Sequence, residues 1–385
     1  MQLAETPLDI ERQKLAKEYA RINRRLSIVE MIVVGILLLV LVFGGISARV
    51  SHFLTFPQPW ASALYFLILA IGLGIITMPL TYYQDFILPH HYGLSYQKLG
   101  DWLTDSIKAS ALGILLSLSV VIVVYWLLGY SPDMWWLWAS ILLLLLSMLL
   151  TRLSPTLLLP IFFRLEPLDD TELEQRLTDL AKRAKTQVCG VFTMDLSSKG
   201  TTANAMLAGL GNTRRIILSD TLLQQYSPEE VEVILAHELG HHIHRDIPKL
   251  IATQGVIILL VFYLADLVLK ASITPLGFQG VADVAAFPLL ILSLAVFGLA
   301  IMPLVSAYSR HLEASADETA LELTANPRAF ITAMTKLTDQ NLTVAQPKRW
   351  EELLFYDHPP YTKRVNLARR YLQETSQRGA PLDLS

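Results

Sequence analysis

Residues 236–246 read AHELGHHIHRD and place four histidines, a glutamate and an aspartate immediately before a long apolar run. Positions 237–241 within this stretch form an H-E-x-x-H sequence. On a helix, positions i and i+4 share a face, so two imidazoles can hold one Zn²⁺ while the carboxylate beside the first reaches water. The same five letters also occur by chance on solvated helices, so the surrounding sequence has to decide.

That surrounding sequence predicts a packed helix. Residues 227–230 read SPEE, a capping box with proline at the first helical position. Val231, Ile234 and Leu235 then give the helix an apolar face. His242 and His244 point away from the face of the motif, and we predict surface or supporting roles for them. Asp246 is predicted to be a charge at the membrane edge.

A catalytic zinc site needs a third protein ligand and one open position. Residues 309–318 read SRHLEASADE and form the downstream candidate. Glu313 and Asp317 are four residues apart on one helix face, so one can bind the metal while the other supports a ligand. His311 and Glu318 are rivals, for which we favour the role of solvated charges.

The composition indicates a membrane protein. The 385 residues are 53% hydrophobic and only 17% charged, and the mean hydropathy is +0.43. No block of Lys and Arg long enough for a polyanion is present, so no nucleic-acid partner is expected. The single cysteine, Cys189, excludes an internal disulfide framework and a multi-cysteine metal site.

Six apolar runs are long enough to cross a bilayer. They are residues 31–48, 61–82, 109–129, 134–150, 250–269 and 285–308. Basic residues concentrate before the first run and after the second, fourth and sixth, which predicts that both termini and the polar mass face the cytoplasm. We therefore expect an inner-membrane protein in a bacterial host, or an endoplasmic-reticulum protein in a eukaryotic one.

The spacing of motif and membrane brings the two halves of the candidate site together. His241 precedes the fifth run by about nine residues, or roughly 13 Å of helix, and Glu313 follows the sixth by about five residues, or roughly 8 Å. Both therefore lie near the same edge of the membrane.

These features divide the chain into five parts. We expect a cytoplasmic tail (1–27), a four-helix membrane region (28–165), a first catalytic part with the motif helix (166–249), two further membrane helices (250–308) and a second catalytic part with the third ligand (309–385). In the first catalytic part we predict a capping box at Thr171 and Glu174 and short strands over residues 188–196 and 215–218. After the sixth run we predict a helix over residues 311–323.

Several stretches together resemble one known family. They are VILAHELGHHIHRD, SRHLEASAD, YDHPPYTKR, Gly93-Leu94-Ser95, Thr202-Ala203-Asn204-Ala205 and the segment 214–223. This set resembles the type I CAAX prenyl endopeptidases, integral-membrane zinc proteases of the gluzincin clan. The resemblance implies a predominantly α-helical multi-pass membrane protein with a gluzincin-like zinc protease domain that contains a small β-sheet.

The resemblance also implies roles for individual residues. By it, one Zn²⁺ is bound by three ligands and Glu238 is the general base. The matching positions are the ligands His237, His241 and Glu313, the proton-donating or orienting Asp317, the substrate-pairing Asn204 and Ala205, and His358 and Arg364 near the substrate carbonyl. The implied partners are the lipid bilayer and a peptide or protein substrate, one that is lipidated at its C-terminus if the likeness extends to specificity.

Other functions stay open at this level. A broad quality-control metalloprotease of membrane proteins is the alternative within the same chemistry. An inactive scaffold is disfavoured by the intact motif, and a transporter by the lack of a clear charge at the centre of a run. Eukaryotic members of the family have seven spans, so six spans leave open whether this chain closes the family's intramembrane chamber.

Overall fold

The computed structural model describes residues 7–209 and 214–377. Its α-helices, in chain order, are α1 (Ile10–Phe43), α2 (Ile46–Phe53), α3 (Trp60–Tyr82), α4 (Leu88–His91), α5 (Leu99–Tyr130), α6 (Trp135–Leu153), α7 (Leu159–Phe162), α8 (Thr171–Arg183), α9 (Asp220–Gln225), α10 (Pro228–Ile243), α11 (Asp246–Leu276), α12 (Phe287–Thr324), α13 (Pro327–Gln340), α14 (Arg349–Phe355) and α15 (Tyr361–Gln377). Wide π-helical turns at Tyr83–Ile87 and Ser154–Leu158 join α3 to α4 and α6 to α7.

Six helical runs of the described residues are long and apolar enough to cross a membrane, as the sequence predicts. They are Ile10–Phe43, Trp60–His91, Leu99–Tyr130, Trp135–Phe162, Asp246–Leu276 and Val284–Thr324. The first and the last of these helices extend well beyond their apolar runs. The polar residues from Ile10 onward are the first turns of α1, and the helix expected over residues 311–323 is the end of α12.

The long helices carry polar segments out of the bilayer without a break. Helix α12 has 38 residues, about 57 Å at 1.5 Å per residue, against a hydrocarbon core of about 30 Å. An uninterrupted helix satisfies its own backbone across the membrane boundary, which a loop at that depth could not do. Glu313 is therefore fixed rigidly to the sixth span.

The six spans form a closed ring. Contacts run from α1 to α3, then to α5, α6, α11 and α12, and from α12 back to α1. A buried cluster that includes Leu38, Tyr65, Tyr125, Trp135 and Phe287 fills the end of the ring opposite Glu313. Six spans thus suffice for closure in this chain.

A four-stranded sheet lies in the polar part that follows the first four spans. Its strands are β1 (Leu165–Pro167), β2 (Val191–Met194), β3 (Ala205–Ala208) and β4 (Arg215–Ser219), in the order β1-β2-β4-β3. Strand β2 is parallel to β4, while β1 and β3 are antiparallel to their neighbours. The two strands predicted from the sequence are β2 and β4, and β3 lies at the edge of the sheet.

The two predicted capping boxes have different outcomes. At α8 the prediction is wrong, because Asp170 is the cap and its carboxylate accepts the amides of Glu172 and Leu173. At α10 the prediction is confirmed, since Ser227 and Glu230 cap each other's backbone amides. Helix α10 thus begins at Pro228.

Gly240 allows α10 to approach α12 very closely. A Cβ atom built on Gly240 would lie 3.0 Å from the Cα of Ala316, 3.1 Å from its carbonyl oxygen and 3.2 Å from the Cβ of Thr319. Glycine in the interior of a helix lowers helix stability by about 0.5–1 kcal/mol relative to alanine. The motif helix accepts this cost because a side chain here would push the two backbones apart.

Gly240→Ala should therefore destabilise the protein, even though alanine is the better helix former. Overpacking of this kind typically costs about 1–3 kcal/mol, and here two of the opposing atoms belong to the backbone and cannot move aside. The thermal unfolding midpoint and the bound zinc of the purified variant should both fall. Gly113→Ala in α5, where an added Cβ would meet nothing within 4 Å, is the matched control and should retain both. Equal behaviour of the two variants would contradict the close-approach explanation.

Candidate active site

The motif helix is joined directly to the fifth membrane helix. Helix α10 ends at Ile243, and Arg245 adopts a left-handed backbone with φ of 55°. Helix α11 then starts at Asp246. This tight turn holds the motif at the membrane edge and fixes the direction in which α11 leaves it.

His237, His241 and Glu313 converge on one point. The Nε2 of His237 lies 3.2 Å from Oε2 of Glu313, and the Nε2 of His241 lies 3.3 Å from Oε1 of the same carboxylate. One ligand atom from each residue can be chosen so that all three lie within 4.8 Å of one another. Tetrahedral zinc with bonds of about 2.0–2.2 Å keeps its ligand atoms roughly 3.3–3.6 Å apart, and the two distances between imidazole nitrogen and carboxylate oxygen are close to this spacing.

The electrostatics of the cluster also favour a cation. Oε2 of Glu313 is buried and accepts no hydrogen bond of good geometry among the described residues, although an imidazole nitrogen lies nearby. Burial lowers the pKa of His237, but the neighbouring carboxylates of Asp317 and Glu313 outweigh this effect and raise that pKa to about 9. In the absence of a metal, a protonated imidazole supplies the positive charge that the carboxylates attract. A bound metal would take over that role.

Asp317 lies behind His237 and does not face the metal point. Its side chain is 1% exposed, and one of its oxygens lies 2.9 Å from Nδ1 of His237. The guanidinium of Arg364 donates to both oxygens of Asp317, at 2.8 Å through Nε and 2.5 Å through Nη2. Arg364 therefore neutralises a buried carboxylate that orients His237, as outer carboxylates do at many zinc sites.

Asp246 has the same relation to His241. Its side chain is 2% exposed and accepts a hydrogen bond from Nδ1 of His241 at 2.9 Å. Lys249 lies 3.0 Å away on the other side of this carboxylate. The expectation of a charge at the membrane edge is wrong for Asp246. The sequence could have indicated this role. An acidic residue five positions after a ligand histidine can hydrogen-bond to that histidine when a tight turn lies between them.

A cleft of about 500 Å³ runs past the metal point. Glu238 from α10 and Asn204 and Ala205 at the start of β3 line it, together with His358 and Arg364. Nε2 of His358 lies 3.3 Å from Oε2 of Glu313. All nine residues singled out from the sequence are therefore in or next to this cleft.

The rival residues lie elsewhere. His311 and Glu318 are exposed and line a different cavity, of about 700 Å³, on the opposite side of Asp317. His244 hydrogen-bonds to Thr319 at 2.8 Å, which ties the end of α10 to α12. His242 is half-buried, and burial lowers its pKa.

Six membrane helices and a His-His-Glu centre beside a cleft define a multi-pass membrane metalloprotease. Residues 167–372 match the model of peptidase family M48, and residues 3–164 match that of the CAAX prenyl protease N-terminal region with five membrane helices. The chain belongs to peptidase family M48. In the described part of that N-terminal region four runs are long enough to span, and α2, with eight residues, is too short.

Known relatives span most of the chain. It is 26% identical to an uncharacterized metalloprotease of Bacillus subtilis, covering 92% of this chain and 85% of the relative. It is 24% identical to the CAAX prenyl protease 1 homolog of Homo sapiens, covering 87% and 81%. The crystal structure of S. mikatae Ste24p superposes with a TM-score of 0.83 at 23% identity, covering 95% of this chain and 91% of that one, so the fold is the same.

Removing the carboxylate of Asp246 should weaken metal binding. Outer-shell partners of zinc-bound histidines typically contribute about 10–100-fold in metal affinity, so Asp246→Ala should bind Zn²⁺ that much more weakly in a chelator competition assay. Asp179→Ala is the matched control, because Asp179 also pairs with a lysine three residues later but is exposed and far from the centre. A zinc affinity of Asp246→Ala equal to that of the control would show that Asp246 does not orient His241.

Proposed function

We propose that this protein is a zinc endopeptidase that cleaves peptide bonds of membrane-associated proteins at the cytoplasmic edge of the bilayer. The observation that carries the proposal is the convergence of His237, His241 and Glu313 beside a cleft that also contains Glu238. His237, His241 and Glu313 would hold one zinc ion. When bound, zinc supplies Lewis acidity that polarises a carbonyl and lowers the pKa of water.

The side chains of the cleft then have distinct tasks. Glu238 takes a proton from the attacking water and passes it to the leaving amine. His358, which faces Glu313 from the far wall, donates to the oxygen that becomes negative during the attack. The free edge of β3 at Ala205 pairs with the substrate backbone and holds the scissile bond in place.

Asp317 acts as an orienting residue in this scheme. It is buried and occupied by His237 and Arg364, so it has no access to a leaving amine. Of the two roles that the family resemblance implies for it, the geometry supports orientation. Arg364 then acts on the centre through Asp317, in addition to lining the cleft.

The relatives and the membrane helices support a proposal for the substrate class. Several of them are named CAAX prenyl protease 1, including one from Saccharomyces cerevisiae that is 30% identical over 183 residues. We therefore propose substrates that are lipidated near a C-terminus and approach the cleft from the bilayer. A broad quality-control protease remains the alternative, because it would use the same metal centre and the same cleft.

Glu238→Gln should abolish cleavage and leave zinc in place, because Glu238 acts on water and is not a metal ligand. Loss of general base catalysis typically lowers kcat by about 10²–10⁴-fold. The measurement is zinc content together with cleavage of a farnesylated CAAX peptide by detergent-purified protein. Cleavage by the wild type alone, with zinc in both proteins, supports the proposal.

The remaining outcomes of that experiment are equally informative. Zinc in both proteins without cleavage of the prenylated peptide keeps the metal centre and favours the quality-control alternative. Equal cleavage by the wild type and Glu238→Gln removes Glu238 as the base. Absence of zinc from both proteins contradicts the proposed function as a whole.

The orientation can be tested through the single cysteine. Cys189 is exposed and lies just before β2, in the part of the protein that holds the cleft. A membrane-impermeant maleimide should label Cys189 in inverted membrane vesicles but not in intact cells. The control is Asp133→Cys in a Cys189→Ser background, since Asp133 is 94% exposed in the turn at the opposite end of the ring. The reverse labelling pattern would place the active site outside.

A further inference from the structure

The side chain of Asn341 covers the backbone just before the edge strand β3, and Asn341 is not among the residues predicted from the sequence motifs. Asn341, at the end of α13, makes two hydrogen bonds to the backbone of Ala203. Its Oδ1 accepts from the amide of Ala203 at 2.9 Å, and its Nδ2 donates to the carbonyl of Ala203 at 3.1 Å. The side-chain amide thus pairs with one residue of the chain as a neighbouring strand would.

The register of the sheet shows which backbone groups face outward. The carbonyl of Asn204 accepts from the amide of Ser219, and Ala205 lies opposite Leu218 in the antiparallel pair. Residues of an antiparallel strand alternate between those whose backbone groups face the partner strand and those whose groups face away. Asn204 faces β4, so the groups of Ala203, Ala205 and Leu207 face the open edge.

The outward backbone groups of Ala203 are therefore occupied by Asn341, whereas those of Ala205 and Leu207 make no hydrogen bond to another residue that the structure describes. We propose that Asn341 is a positioning residue that ends the free edge of β3 and so sets the register in which a substrate strand pairs with it. This inference rests on the proposed endopeptidase function. It adds that the choice of scissile bond depends on a side chain that touches neither the metal ligands nor Glu238.

The position of Asn341 is itself held from two sides. Next to it, the side chain of Gln340 donates to the carbonyl of Thr201 at 2.6 Å and accepts from the hydroxyl of Tyr226 at 2.9 Å. Arg12 in the first turn of α1 donates to the carbonyl oxygens of Asp339 and Gln340. The end of α13 is thus fixed both to the segment before β3 and to the N-terminal helix.

Asn341 therefore limits the register in which a substrate strand can pair with β3. Without the amide of Asn341, the outward groups of Ala203 would join the free edge. Because outward-facing residues recur every second position, a peptide could then shift by two residues and present a different bond to Glu238. A shift of one residue would turn the peptide's backbone groups away from the edge and is disfavoured.

The test compares Asn341→Ala with Asn341→Asp, which keeps the acceptor for the amide of Ala203 and still fills the site. The full-length protein in detergent cleaves a farnesylated CAAX peptide and β-casein, an unstructured protein, and the products are mapped by mass spectrometry. Asn341→Ala should yield new products displaced by two residues, and the fraction of product cut at the wild-type bond should fall, because the freed backbone groups of Ala203 can then pair with a substrate strand. Asn341→Asp should cut mainly at the wild-type bonds.

A purely structural role predicts a different result, in which Asn341→Ala loses zinc and active fraction but still cuts at the wild-type bonds. That outcome overturns the inference. Cleavage by neither the wild type nor the variants, or equal cleavage by Glu238→Gln, instead sinks the proposed function on which it rests.

A measurement on the wild type covers the case in which Asn341→Ala does not fold. The shortest peptide that the protein cuts is methylated on one backbone nitrogen at a time. Two positions, two residues apart, should each lose about tenfold in kcat/KM because they pair with Ala205 and Leu207. The next position in that series, opposite Ala203, should change less than about twofold, because Asn341 occupies that place. Strong sensitivity there would overturn the inference.

Discussion

The close contact between α10 and α12 at Gly240 and Ala316 is the constraint on which the rest of the structure depends. It brings two histidines of one helix within about 3.3 Å of a carboxylate of another that is more than seventy residues away in sequence. Neither helix could form the metal centre alone, and a single additional methyl group at the contact would separate them. The two orienting carboxylates, Asp246 and Asp317, reach their histidines only because this contact and the turn at Arg245 are in place.

The membrane helices help to hold this contact in place. Helices α11 and α12 continue from the site into the bilayer, where each satisfies its own backbone hydrogen bonds and packs against its neighbours in the ring. The spans therefore hold the histidines of α10 and the carboxylate of α12 at the same level relative to the membrane. The buried aromatic cluster that fills the far end of the ring restrains the same helices from the other side. The geometry of the site thus depends directly on how the membrane helices pack in this protein.

The cleft adds the groups that a metal centre alone does not provide. In the proposed mechanism strand β3 presents an edge, Glu238 a base and His358 a donor, and each comes from a different part of the chain. The N-terminal helix also contributes, since Arg12 holds the end of α13 and through it the segment before β3. A protease of this kind has to align an extended peptide with one catalytic base, so the rigidity of the edge matters as much as the chemistry beside it.

The sequence by itself determined the number of spans, the metal-binding motif, the pair of acids that contains the third ligand, and the start of the motif helix. These features are local, because hydropathy, helical periodicity and capping act over a few turns of chain. The sequence pattern did not determine that α1 and α12 continue out of the bilayer, that Asp170 caps α8, or that Asp246 orients His241. Only the tertiary structure decided which of Glu313 and Asp317 faces the metal point, whether six spans close a ring, and that Asn341 meets Ala203. Each of these depends on which surfaces meet across long separations in sequence, and that is settled by packing of the whole chain and not by any local pattern.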